Sequence, residues 1–331
     1  MKILVTGAAG MLGSGLVPEL VRAGHDVVAT DIDLSVRNPW GPLGPTLGEL
    51  DVRSWDAVKD AFAGVRPELV CHLAAETSLE YSDANEEHAY ATNTLATKFV
   101  ALECRRAAVP MVYISTAGVF DGNKRGAYHE WDDPNPLNVY GKTKYEGELM
   151  VERFAPEHYI VRAGWMVGGG ARKDHKFVAK ILRQIRDGRS TLYAVGDKLG
   201  TPTYVPDFAK TFLGLVASGS YGRYHMACEG EGSRYDVATK IVALLGRSDE
   251  IEVVEVDSDF FAADYPSVRP YSEIMRNLHL ELQGLNTMRP WPVALAEYLR
   301  NEFAELVQGA GSDIDLTAEE ALERSVQEEV V

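Results

Sequence analysis

Residues Lys2–Thr6 form an apolar run that leads into Thr6-Gly7-Ala8-Ala9-Gly10-Met11-Leu12-Gly13. A helical pattern over Met11–Ala23 follows, with Leu12, Leu16 and Leu20 on one face. Buried strand, glycine turn and amphipathic helix in that order are the opening of a parallel crossover unit. The alternation continues. Asp26–Thr30, Leu69–Leu73, Met111–Ser115 and Tyr159–Arg162 read as strands, and Ser54–Phe62, Glu86–Arg106 and Tyr140–Phe154 as helices. Strands separated by helices at this spacing pair in parallel, so the expected fold class is α/β, an open doubly wound parallel sheet with helices on both faces.

The pattern changes after residue 165. Gly168-Gly169-Gly170 is a flexible loop, Lys176–Gly188 a basic amphipathic helix, and Leu192–Val195, Thr203–Val205 and Gly222–Met226 are short strands. Asp207–Ala217, Tyr235–Leu245 and Val293–Phe303 read as helices. The expected organisation is a cofactor-binding domain over 1–165, with 203–228 returning to it. A smaller C-terminal substrate-binding part spans 166–202 and 229–303, and an acidic tail spans 304–331. From Glu302 to Val331 nine acids face one base, Arg324, so this stretch carries half of the net charge of −16. It reads as a solvated tail.

That negative charge argues against general nucleic-acid binding. No apolar run approaches the roughly 20 residues of a membrane span. The first apolar run is too short for a signal peptide, so a cytoplasmic location is expected. Cys71, Cys104 and Cys228 have the spacing of neither a disulfide framework nor a zinc site, and no metal is expected.

Glycines at 7, 10 and 13 give G-x-x-G-x-x-G between strand and helix. Such a turn lets backbone approach a pyrophosphate, and the helix N-terminus adds free N–H groups. Asp31 closes the second strand, where a carboxylate can accept both hydroxyls of an adenosine ribose and would repel a 2′-phosphate. NAD(H) is therefore favoured, with NADP(H) admitted; Arg37 could partly compensate the repulsion. Asp51-Val52 could meet the adenine.

Tyr140 and Lys144 form Y-x-x-x-K and share one face of a helix. An ammonium beside a phenol is expected to lower its pKa and allow proton exchange near neutrality. Thr116 ends the fourth strand, at the edge where such sheets place ligands, and could hydrogen-bond a substrate carbonyl.

With these motifs in place, the sequence resembles the Rossmann-like extended short-chain dehydrogenase/reductase superfamily. The resemblance rests on Gly7/Gly10/Gly13, His72-Leu73-Ala74-Ala75, Asn93, Ser115-Thr116 and Tyr140/Lys144. Within it the chain is most similar to the dTDP-4-dehydrorhamnose reductase group, through Val119-Phe120-Asp121-Gly122, Pro136–Lys144, Arg162 with Trp165, Gly200-Thr201-Pro202-Thr203, Arg269-Pro270 with Ser272, and Gly284-Leu285 before Trp291. The resemblance implies an NAD(P)H-dependent reduction at C4 of a nucleotide-linked 4-keto-6-deoxysugar. In that reading Tyr140 is the proton donor, Lys144 tunes it and holds the nicotinamide ribose, and Thr116 polarises the carbonyl. Gly10-Met11-Leu12, Asp31, Asp51-Val52, Ala74-Ala75-Glu76-Thr77 and Asn93 belong to the cofactor side. Trp165 would contact the sugar, and Arg269 and Lys176 are candidates for the diphosphate. A homodimer is admitted.

Departures from the group are local. Ala117-Gly118 stand where it usually has Asp-Tyr, and Ser78-Leu79-Glu80-Tyr81 occupies a stretch that usually holds a lysine. Without acid–base carboxylates beside Thr116, dehydratase chemistry is disfavoured. A nucleotide-sugar 4-epimerase and a non-catalytic NAD(P)-binding regulatory subunit remain as alternatives.

Overall fold

The computed structural model describes residues 1–36, 39–41 and 44–307. Arg37 and most of the acidic tail, 308–331, lie outside the described residues. The first half supplies strands β1 (Lys2–Thr6), β2 (Asp26–Asp31), β3 (Gly48–Glu49), β4 (Leu69–His72), β5 (Met111–Thr116) and β6 (His158–Ala163). The strand Gly222–His225 joins them, and the seven run in the order Gly222–His225, β6, β5, β4, β1, β2, β3, all parallel. The order reverses between β1 and β4, which opens a crevice at the C-terminal ends of these two strands.

Alternation of side chains along β1 explains the two-sided core. Ile3 and Val5 pack on one face with α1 (Met11–Arg22) and the helix Val205–Ser218. Leu4 packs on the other with α2 (Trp55–Val65) and, beyond α3 (Leu79–Ala84) and α4 (Glu86–Tyr90), with α5 (Ala96–Ala107). Burying each such side chain contributes about 1.5–3 kcal/mol. The helix α6 (Val139–Phe154) lies against β5 and carries Tyr140 and Lys144.

The expected single helix over Glu86–Arg106 is interrupted. Ala91–Leu95 is a π-helical turn between α4 and α5. Its apolar periodicity is continuous with its flanks, so the cause is tertiary. Asn93 donates to Glu76 O and Thr143 Oγ1, and Thr94 Oγ1 donates to Thr143 O. Single π turns of this kind concentrate at functional sites.

Past β6 the chain makes three small sheets: Trp165–Val167 with Pro202–Tyr204, Thr191–Val195 with Glu252–Val256, and Gly232–Ser233, Leu199–Gly200 and Ser272–Glu273 together. Within 203–228, the helix Val205–Ser218 packs against α1 and Gly222–His225 extends the large sheet, whereas Pro202–Tyr204 stays in its own two-stranded sheet. Among the described residues no helix is long and apolar enough to cross a membrane, and no His/Cys/Asp/Glu cluster could hold a metal ion.

Candidate active site

The glycine turn is built by close backbone approach. Gly7 has φ +67°, and a Cβ there would lie 2.4 Å from Ala74 N; a Cβ on Gly13 would lie 2.1 Å from Ala8 O. Gly10 is the exposed N-cap of α1 and supplies no side-chain cap, so the N–H groups of the first turn, from Met11 onward, are left for a ligand. This is the fit a dinucleotide pyrophosphate requires: an open cradle at a helix N-terminus. Leu12 is buried in the core beneath it. Asp31 stands beside the turn, with Oδ2 accepting from Ala9 N at 2.9 Å and Oδ1 from Asp33 N at 3.0 Å.

Asp51 is forked onto Arg53, which holds its carboxyl below the usual range, while the Val52 side chain is buried in the core under α2. Ala74 and Ala75 are half-buried and Thr77 is exposed, in the segment that leaves β4 against Gly7. Asn93 is fully buried. It accepts from Glu76 N at 2.9 Å and donates to Glu76 O at 3.0 Å, so it fixes this segment from behind.

Thr116, at the end of β5, accepts from Gly118 N at 3.1 Å, leaving its own O–H free to donate. Tyr140 sits in the first turn of α6, which is capped by Asn138 accepting from Gly141 N. Gly141 lets that turn close onto β5, since a Cβ there would lie 2.2 Å from Gly118 O. The packing brings the phenol near enough to the Thr116 hydroxyl for the two to interact. Burial pushes the Tyr140 phenol up to about 12; the Thr116 hydrogen bond opposes this, and the carboxylates of Glu273 and Glu76 add to it.

Lys144 is buried one turn on, with Nζ 4.1 Å from the Tyr113 ring centroid. Burial holds its ammonium down to about 7 against the pull of Glu148. The expected lowering of the phenol pKa is thus corrected: desolvation raises it, and the ammonium rests on the Tyr113 face.

Glu148 continues the four-residue spacing of Tyr140 and Lys144. It is fully buried, accepts from Ser115 Oγ, and is forked by Arg162 at 2.9 and 2.7 Å. This charge behind Lys144 escaped the sequence reading, although a Y-x-x-x-K-x-x-x-E stripe and the buried arginine of β6 were there to be read. His72 is a buried neutral group between Thr6 and Thr97, lowered to about 3 by burial and by the Lys144 charge.

The opposite wall comes from the second half. Trp165 donates through Nε1 to Glu273 Oε2 at 2.8 Å. The Arg234 guanidinium lies 3.7 Å from its ring centroid, and a Cβ on Gly200 would lie 2.3 Å from the indole. Arg269 pairs with Glu80 across to α3 and donates to Ser267 O at 2.9 Å, so its guanidinium is already engaged. Lys176 is exposed at the start of the helix Phe177–Arg186, two residues past the buried Asp174. Arg234 and Glu273, both central to this wall, were not singled out from sequence. Glu273 lies in a two-residue strand, and Arg234 only opens a helix behind the capping box of Ser233 and Asp236.

The family model described as the RmlD substrate binding domain matches residues 1–303. A Mycobacterium tuberculosis protein named dTDP-4-dehydrorhamnose reductase is 33% identical over 303 residues, covering 90% of this chain and 92% of its own. A Streptomyces niveus protein named dTDP-4-keto-6-deoxy-D-glucose reductase is 33% identical over 295 residues, covering 89% and 95%. The crystal structure of dTDP-4-dehydrorhamnose reductase from Bacillus anthracis in complex with NADP is 29% identical with a TM-score of 0.81, covering 92% of this chain and 99% of that one. The chain belongs to the family described by the RmlD substrate binding domain, within the extended short-chain dehydrogenase/reductases.

Proposed function

We propose that this protein is an oxidoreductase that reduces the C4 carbonyl of a dTDP-linked 4-keto-6-deoxysugar at the expense of a pyridine nucleotide. The observation that carries the reading is the meeting of Thr116 and Tyr140 at the C-terminal edge of the sheet, between the glycine turn and the Trp165 wall. The names of the relatives, both reductases of such sugars, support it.

Thr116 donates a hydrogen bond to the carbonyl oxygen, and Tyr140, kept protonated by its raised pKa, delivers the proton to the same oxygen. Lys144 sits behind the phenol, where its ammonium stabilises the phenolate left when the proton is given up, and the Glu148 carboxylate, itself held by Arg162, favours that charge. The turn around Gly7, Gly10 and Gly13, the α1 N-terminus with Met11 and Leu12, Asp31, Asp51-Val52 and Ala74–Thr77 would hold the cofactor, which when bound supplies the hydride. Asp31 speaks for NAD(H) and the Bacillus relative for NADP(H). Trp165 forms a shelf for the sugar, and Arg234, Lys176 and Arg269 give the cationic side for the diphosphate. Segments 166–202 and 229–303 form the substrate-binding part. Three free, buried thiols suit a reducing compartment, and we place the enzyme in the cytoplasm.

The test is consumption of NADH or NADPH by the full-length protein with dTDP-4-dehydrorhamnose and dTDP-4-keto-6-deoxyglucose as substrates. Stoichiometric oxidation with formation of the 4-hydroxy sugar is expected. Cofactor binding without oxidation would instead make the chain a regulatory nucleotide-binding protein, and interconversion of C4 epimers with no net oxidation would make it an epimerase.

A further inference from the structure

Glu273 is a carboxylate inside the cleft with one oxygen in use. Oε2 takes the Trp165 indole N–H at 2.8 Å, and no described residue donates a hydrogen bond to Oε1. Its backbone is fixed by parallel pairing of Ser272–Glu273 with Leu199–Gly200. Across the cleft stands Gly118, in the turn after β5. A Cβ built on Gly118 would lie 3.4 Å from Thr116 Oγ1 and 3.6 Å from Glu273 Oε1. The two oxygens therefore flank one small space, kept open by the missing side chain. The charges of Arg234 and Arg269 act on Glu273, and the charge of Glu273 in turn reaches Tyr140.

A half-buried carboxylate oxygen in that position needs a donor. Once Thr116 and Tyr140 hold the C4 oxygen, only the substituents of the neighbouring ring carbons can reach the space beside Gly118. In a 6-deoxysugar C5 carries a methyl group, which donates nothing, and C3 carries the donor. We propose that Glu273 is a specificity-determining residue that accepts a hydrogen bond from a donor, hydroxyl or ammonium, on C3 of the sugar. The inference rests on the reductase reading above and deepens it.

The test compares kcat/KM for dTDP-linked 4-keto-6-deoxysugars bearing a hydroxyl, an amine or only hydrogen at C3. Full-length wild type, Glu273→Gln and Glu273→Ala are used at saturating cofactor. Wild type should favour the donor-bearing sugars over the 3-deoxy sugar by about 10- to 100-fold, the range of a hydrogen bond to a charged group. A lead for the amine marks an ammonium as the preferred donor, and a lead for the hydroxyl marks a neutral one; either supports the proposal. Glu273→Gln keeps an oxygen for the indole but turns an NH2 toward C3. That NH2 can still donate to a C3 hydroxyl but has nothing to offer an ammonium, so Glu273→Gln should remove the preference for the amine while tryptophan fluorescence and Tm stay at wild-type values, which a purely structural role for Glu273 would not produce; Glu273→Ala, which leaves C3 no partner, should bring both ratios close to one. Unchanged ratios in Glu273→Ala, or a wild type indifferent to C3, overturn the proposal and leave the reductase reading standing. Failure of the wild type to reduce any of the three sugars overturns both.

Discussion

On the cofactor wall, backbone meets backbone: a Cβ on Gly7, Gly13 or Gly141 would lie 2.1 to 2.4 Å from main-chain atoms of Ala74, Ala8 or Gly118. On the wall we assign to the sugar, side chain meets side chain: Trp165 on Glu273, Arg234 over Trp165, Arg269 on Glu80. The first kind of contact is set by chain geometry and tolerates almost no substitution. The second can be exchanged residue by residue while the sheet stays intact. A fold built this way can keep its reaction and change its substrate. The Glu80 departure falls on the side where exchange is cheap; Gly118 belongs to the other wall through its backbone, although a side chain there would meet its neighbours no closer than 3.4 Å.

The contrast predicts that the strongest loss comes from the proton donor. Tyr140→Phe should lower kcat by about 10³-fold, within the range of general acid catalysis, while cofactor binding measured by fluorescence titration changes by less than about twofold. A kcat within a few-fold of wild type would remove Tyr140 from the chemistry.

Legibility in the sequence followed the same division. Gly7, Gly10 and Gly13 lie within one turn, and Tyr140 and Lys144 are one helical turn apart, so short-range periodicity brings each set together. The parallel sheet was legible for the same reason. Glu273, Gly118 and Trp165 are brought together by two small sheets and a tight turn, and nothing local in Ser272-Glu273 announces a cleft residue. The π turn at Ala91–Leu95 was hidden because the hydrogen bonds of Asn93 and Thr94 to α6 cause it, not the residues' own helix preference.

Buried and exposed arginines should separate the two walls next. Arg162→Met strands the Glu148 carboxylate in the core and should cost about 3–5 kcal/mol, visible in urea unfolding. Arg269→Met breaks a pair about one-third exposed and should cost under about 1 kcal/mol while raising KM for the nucleotide sugar. Equal losses of stability would erase the distinction.

The pH response belongs to the cofactor wall. Lys144 titrates near 7 when folded, below its ordinary 10.5. Between those values the unfolded chain binds the extra proton, so this group's contribution makes stability rise with pH across that window and level off below about 7. Activity runs the other way: the ammonium is lost above about 7, and kcat/KM, which reports the free enzyme, should bend downward there. Lys144→Met should flatten both profiles; a bend that survives the substitution belongs to another group.

The smallest effect tests whether Asp31 acts as part of the scaffold or as a reader of the ribose. Its carboxylate accepts from Ala9 N and Asp33 N, so Asp31→Ala loosens the glycine turn for either cofactor. NADH additionally loses an acceptor for its ribose hydroxyls, whereas NADPH is relieved of repulsion at its 2′-phosphate. The Kd for NADH should rise about tenfold, the worth of one hydrogen bond to a charged group, and the Kd for NADPH by less. A parallel rise for both cofactors would mean that the carboxylate only braces the turn, and the choice between NADH and NADPH would then have to come from other groups around the adenosine ribose.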